Sequence, residues 1–309
     1  VRSEVGPRDH SMTNTSNRNG LGIGLTIGAM ALFAVADSLI KLTAGQLSPA
    51  HTTLLLMGGG GVVFVVLAVL RGERINPAEA FHPVLLARYA VELIGAFGMV
   101  MSLAYVPLST VGAVLQASPL VVTLGAILVF KERVSWRRWS AIALGFVGVL
   151  MILRPGSDGF EWATLFPVMA MVGLSLRDLT TRATPPGIPT TSLATYTMAA
   201  ALPVVILWCA LTQETLLPKD VPWIPATGMV LLGALGYLLV TQGVRVAPLS
   251  VVTPFRYTRL LFLLFLGVVF FGERPDAWTL AGAALIVASG IYAMWRDHVR
   301  AQEAKSAAD

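Results

Sequence analysis

The sequence predicts an all-α polytopic membrane protein, with ten transmembrane helices arranged as two inverted five-helix repeats. Composition is the first reason. The chain is 55% hydrophobic and only 13% charged, with a mean hydropathy of +0.73, whereas a soluble domain carries about 25% charged residues. Apolar runs recur at the length of roughly 18–20 residues that a helix needs to cross about 30 Å of hydrocarbon. The alternating pattern of a membrane β-barrel is absent.

The second reason is an internal duplication. Pro107-Leu108-Ser109 opens an apolar stretch that closes on Phe130-Lys131-Glu132-Arg133, and Pro248-Leu249-Ser250 opens one that closes on Phe271-Gly272-Glu273-Arg274. A constant offset of 141 residues superimposes the two without a gap. Apolar identities between membrane helices carry little weight, but a Pro-Leu-Ser start and a Glu-Arg end at one spacing carry more.

The third reason is the placement of basic residues. With the N-terminus inside, fourteen Lys and Arg, among them Arg71, Arg74, Arg137, Arg138 and Arg245, fall on the inner side, against Arg154, Lys219 and Arg274 outside. That bias places both termini in the cytoplasm. Five helices per repeat is an odd number, so the halves insert in opposite directions, and a site is expected between them near the midplane.

In chain order, residues 1–20 are polar and read as a disordered cytoplasmic N-terminus without a removable signal peptide. Helices are expected at 21–42, 50–70, 82–105, 109–130 and 136–154, making the first repeat (21–154). The second repeat (160–295) holds 160–181, 190–211, 222–244, 249–271 and 277–295, followed by a cytoplasmic tail at 296–309. The seven tryptophans all lie near helix ends, where an interfacial belt would hold them. Pro119, Pro167 and Pro203 are expected to kink their helices.

This two-copy pattern of a Pro-led small and apolar helix, a Gly/Lys-Glu-Arg end and a Gly-rich helix resembles the EamA family of the drug/metabolite transporter superfamily. Lys131 replaces the usual glycine in the first copy. The resemblance implies a multi-pass carrier of a small organic solute in a bacterial inner membrane, working by alternating access, and not an enzyme. It leaves substrate open across amino acids, vitamins, nucleotide-like metabolites and drugs. Membrane lipids are the expected surroundings, as monomer or homodimer, and proton coupling and plain facilitation are equally compatible with the sequence. An intramembrane lipid-modifying enzyme is the competing class, but such enzymes gather acids and histidines near one interface.

Charges inside the spans locate the chemistry, because a mid-membrane charge costs from about 2.5 kcal/mol upward and needs a partner or a wet cavity. Asp37 and Lys41 map through the offset onto Asp178 and Arg182. Each acid precedes its base by one helical turn, so each pair reads either as a gate on one face or as neutralisation of its own helix end. Arg88 and Glu92 form a third pair, with no charged counterpart at Met229 and Gly233, and Glu92 is a candidate proton acceptor. Arg256 and Arg259 share a face with Thr253, where the first repeat carries Leu115 and Ser118. Arginine forks suit carboxylate or phosphate. The candidate substrate-binding set is therefore Arg88, Glu92, Gln116, Arg177, Arg256, Tyr257 and Arg259, with Gln116 and Tyr257 as repeat counterparts. An anionic or zwitterionic substrate is favoured, and a neutral heteroaromatic vitamin or drug-like solute is the alternative. No phosphate-cradling loop is present. His10, His51, His82 and His298 show no metal or triad spacing, the single Cys209 excludes an intrachain disulfide, and no cofactor or nucleic-acid partner is expected.

Overall fold

The computed structural model describes residues 10–73, 76–131, 136–156, 160–185, 188–216, 218 and 220–306. The Glu132-Arg133 end of the first motif, Arg74, Pro186, Gly187 and Lys219 lie outside the described residues. The first repeat comprises α1 (His10–Thr43), α2 (Pro49–Leu70), α3 (Pro83–Tyr105), α4 (Leu108–Leu115), α5 (Ser118–Phe130) and α6 (Trp136–Leu153). The second comprises α7 (Leu165–Arg182), α8 (Thr190–Leu211), α9 (Trp223–Val246), α10 (Leu249–Val252), α11 (Thr258–Phe271) and α12 (Ala277–Ser306). Among the described residues, nine helical stretches are long and apolar enough to span a membrane, and Trp139–Leu153 makes a shorter tenth. α1 begins at His10, ahead of the expected start at 21. Helix starts follow local chemistry: Ser48 accepts from His51 N to cap α2, and Pro49 fills a first-turn position where an N–H would have no acceptor.

The fourth and ninth spans are broken; the sequence expects a kink at Pro119 in the fourth and a continuous helix in the ninth. α4 gives way to α5 at Gln116-Ala117, whose amides bond three residues back to Ala113 O and Val114 O. The ninth span passes from α10 through a 3₁₀ turn, Thr253–Tyr257, into α11. Pro119 and Pro254 explain both breaks, since each lacks an N–H and its ring crowds the carbonyl four residues back. Pro203, by contrast, sits inside the continuous α8. Both spans end in a left-handed residue at equivalent positions, Lys131 (φ 53°) and Gly272 (φ 63°). Glycine adopts that conformation without penalty, and the lysine does so at a cost of about 1 kcal/mol.

Packing crosses the repeats: α1 lies on α9, α3 on α7, α2 on α8, α6 on α12 and α4 on α11. Equivalent glycines allow close approaches. A Cβ on Gly95 would meet the backbone of Gly173 and Leu174 at 3.0–3.2 Å, and one on Gly236 would meet Phe33 at 3.1 Å and Ala29 O at 3.3 Å. Leu108, Val111, Val114, Leu263 and Ile286 fill the centre between the halves, while Val69, Leu128, Leu207 and Phe270 face outward. That inversion of the soluble pattern is what a lipid solvent demands. Six tryptophans are exposed near helix ends; Trp208 instead packs against Phe97 at 4.9 Å between centroids.

Candidate functional site

The in-span charges assemble into two tiers along the seam between repeats. The first lies at the end of the bundle opposite the termini. Asp37, buried on α1, accepts from Arg259 Nη2 at 2.5 Å and Nε at 3.2 Å, and the Arg259 guanidinium also covers the Phe33 ring at 5.4 Å. One turn on, Lys41 Nζ donates to Val106 O at 2.8 Å and lies 3.6 Å from Glu273 Oε1. The expected partners Asp37 and Lys41 thus serve α1 separately, each tied to the other repeat. The charge that sequence reasoning missed is Glu273, which marked the duplication but was not placed in the site. Its carboxylate accepts from Leu108 N at 2.5 Å and Ser109 N at 2.9 Å, capping α4. An ionised carboxylate at a helix N-terminus satisfies orphan amides and complements the helix dipole.

The second tier lies toward the end that holds the termini. Arg88 on α3 donates to Thr181 Oγ1 at 3.0 Å and Thr197 Oγ1 at 2.5 Å, and stands 3.6 Å from Glu92. Glu92 also stands 3.6 Å from Arg177 of α7, which bonds Asp178 at 2.9 Å. Tyr237 of α9 shares the electrostatic environment of all four charges. Arg256 faces this cluster from the 3₁₀ turn, with Asp178 and Arg177 as its charged neighbours. It makes no ion pair or hydrogen bond among the described residues, and its side chain is exposed although protein surrounds it. Arg177, likewise enclosed, keeps 31% of its side-chain surface accessible. Both arginines thus lie among protein groups and keep part of their surface accessible.

The shared face expected for Arg256 and Arg259 resolves into two destinations. The 3₁₀ turn leaves Arg256 at the second tier, and α11 carries Arg259 to Asp37 in the first. Gln116 and Tyr257 do meet: Gln116 Nε2 donates to the Tyr257 carbonyl at 3.0 Å in a buried bond. The Tyr257 ring is buried against Gly290, and its hydroxyl finds no partner among the described residues. Arg182 is exposed in the last turn of α7. No group of three or more His, Cys, Asp or Glu suited to a metal occurs among the described residues.

Nine membrane-length apolar helices and a shorter tenth among the described residues, spans broken at matched positions and charges gathered between the two halves fit the architecture of a membrane carrier. Residues 20–154 and 161–295 each match the EamA-like transporter family, and the chain belongs to that family. It is 31% identical to a riboflavin transporter of Rhizobium johnstonii over 68% of this chain and 69% of that one. It is 29% identical to a riboflavin transporter of Vibrio cholerae (83% and 87%), and 21% identical to an S-adenosylmethionine uptake transporter of Rickettsia bellii (93% and 97%). A solved crystal structure, 20% identical, superimposes with a TM-score of 0.62 over 91% of this chain and 98% of that one, the same fold. The protein is a small-metabolite transporter.

Proposed function

We propose that the chain carries a small organic anion or zwitterion, bearing a carboxylate or phosphate, by alternating access between its repeats. The observation behind this is the charge count of the seam. In the first tier Lys41 and Arg259 are balanced by Glu273 and Asp37. In the second, among the described residues, Arg88, Arg177 and Arg256 face Glu92 and Asp178, an excess of one positive charge, and Asp178, the acid beside Arg256, is already bound to Arg177. An accessible guanidinium whose neighbouring acid is already bound to another arginine is a docking point for an anionic group. Glu92, held between Arg88 and Arg177, is the candidate coupling residue. We assign both termini to the cytoplasmic face of a bacterial inner membrane, and no catalytic residue.

Flux of labelled metabolites into proteoliposomes holding only this protein tests the reading. Arg256 is open to water, so Arg256→Gln should weaken binding by about 1–3 kcal/mol, roughly 5- to 150-fold. Arg256→Lys should recover part of the loss, since it keeps the charge without the fork. Unchanged affinity in both variants, or a simple cation as best ligand, overturns it. The riboflavin transporters among the relatives favour a second reading, a neutral heteroaromatic vitamin. In that case Tyr237→Leu would weaken binding and Arg256→Gln would not.

A further inference from the structure

Sequence reasoning left His51 among four scattered histidines; the fold gives it a site. Ser48, the N-cap of α2, and His51, in its first turn, meet Glu214 and Thr215, which follow α8. Ser48 Oγ donates to Glu214 Oε2, lies 2.9 Å from His51 Nδ1 and accepts from His51 N at 3.2 Å. His51 Nε2 lies 2.5 Å from the Thr215 carbonyl, and Nδ1 lies 3.3 Å from Glu214 Oε2. The ring is buried. This is not a nucleophile's arrangement, because the serine hydroxyl is given directly to the carboxylate.

With Glu214 ionised, counting hydrogens gives the state of the ring. A carbonyl only accepts, so Nε2 must carry a proton. The hydroxyl has one hydrogen. With that hydrogen on Glu214, the Nδ1 side faces only acceptors, the Ser48 oxygen and the carboxylate, and must carry a proton too. The doubly protonated imidazolium completes every bond. In the neutral ring with its proton on Nε2, Nδ1 needs the Ser48 hydrogen, Glu214 loses its donor, and a lone pair faces a carboxylate at 3.3 Å. We propose that Ser48, His51 and Glu214 form a proton-binding clasp that fastens α2 to the end of α8 when His51 is charged and loosens when it is neutral. Among the described residues no other charge does this work. Glu214 is the ion-pair partner of His51 among the described residues, and the other titratable group at that end of α8 is the buried thiol of Cys209. α9, which also packs on α2, has Tyr237 as its titratable group before Arg245 at its far end, and the Arg88, Tyr89 and Glu92 of α3 belong to the tier toward the termini.

The chain carries its own reporter. Cys209 is its single cysteine, is fully buried, and its carbonyl accepts from the Glu214 amide directly below the clasp. Maleimide labelling of Cys209 in proteoliposomes should be compared between wild type and His51→Gln at each pH, so that thiol chemistry cancels in the ratio. The expected result is labelling of the variant on the order of tenfold faster at pH 5.5, with the ratio falling toward one at pH 8. A ratio that does not change with pH overturns the proposal, as does a Glu214→Gln protein that keeps the wild-type pH dependence. Nitrogen NMR of histidine-labelled wild-type protein needs no substitution. One His51 resonance pair should pass from two protonated nitrogens in acid to the Nε2–H tautomer in base, in step with the labelling rate, and a neutral ring throughout that range overturns the clasp.

Discussion

Replacing Glu273 by Gln probes the contact that joins the repeats at the end opposite the termini. Glutamine keeps the shape and one carbonyl oxygen, so one of the Leu108 and Ser109 amides, now 2.5 Å and 2.9 Å from the carboxylate, keeps an acceptor. The other faces an NH₂ group. Losing a hydrogen bond to a charged acceptor costs about 1.5–3 kcal/mol, and losing the charge at the start of α4 costs about 0.3–1 kcal/mol. Lys41, 18% exposed and still bound to Val106 O, is left without its counter-ion but within reach of water, which adds little. The total is about 2–4 kcal/mol. The assay is reversible unfolding in mixed micelles, read for wild type, Glu273→Gln, Lys41→Met and the double variant. The double variant should lose about 1 kcal/mol less than the two single losses combined, because the Lys41–Glu273 term is then counted once. Glu273→Gln within about 0.5 kcal/mol of wild type would show that the cap does not hold the repeats together.

Further outcomes follow from the same geometry. Asp37→Asn strands Arg259, whose side chain is 22% exposed, and should cost about 2–3 kcal/mol, below the range for a fully buried broken pair; Asp37→Asn with Arg259→Gln should be more stable than Asp37→Asn alone in the same unfolding assay. Gly173→Ala would set a Cβ 2.4 Å from Gly95 N and should cost about 1–3 kcal/mol, whereas Gly24→Ala meets nothing within 4 Å and should be neutral or stabilising. A reporter fused to the C-terminus should be active on the cytoplasmic side, and activity confined to the outside would refute the charge-based orientation.

Periodicity and duplication made the helices legible, because lipid demands long apolar runs and a copied framework repeats its own landmarks. Even the Pro-Leu-Ser start and the Glu-Arg end now have a joint reason: Glu273 of one copy caps the helix that Pro107-Leu108-Ser109 opens in the other. The pairing of charges was not legible. A linear reading pairs Asp37 with Lys41 four residues on, but their partners Arg259 and Glu273 come from the far end of the chain, brought close by the docking of α1 on α11. Pro119 announced the break in the fourth span, and Pro254 offered the same signal for the ninth. Without that break Arg256 and Arg259 seem to share a face. His51 and Glu214 lie too far apart in sequence for any spacing rule to join them.

Gln116 and Tyr257 are the same position in the two copies, 141 residues apart, and they touch. The approximate two-fold axis of the molecule therefore passes between them. In an isologous dimer of identical five-helix chains, a residue on the axis faces its own copy, and any charge placed beside it is doubled across a few ångströms. Arg256 adjoins that axis, and its counterpart is the buried Leu115. Two identical chains would have to bring two guanidiniums together there or none. Joining the copies in one polypeptide releases each half to mutate alone, so an axis that symmetry would keep apolar or mutually repulsive can carry one arginine. The covalent link between the repeats is thus what permits a lone arginine beside the axis.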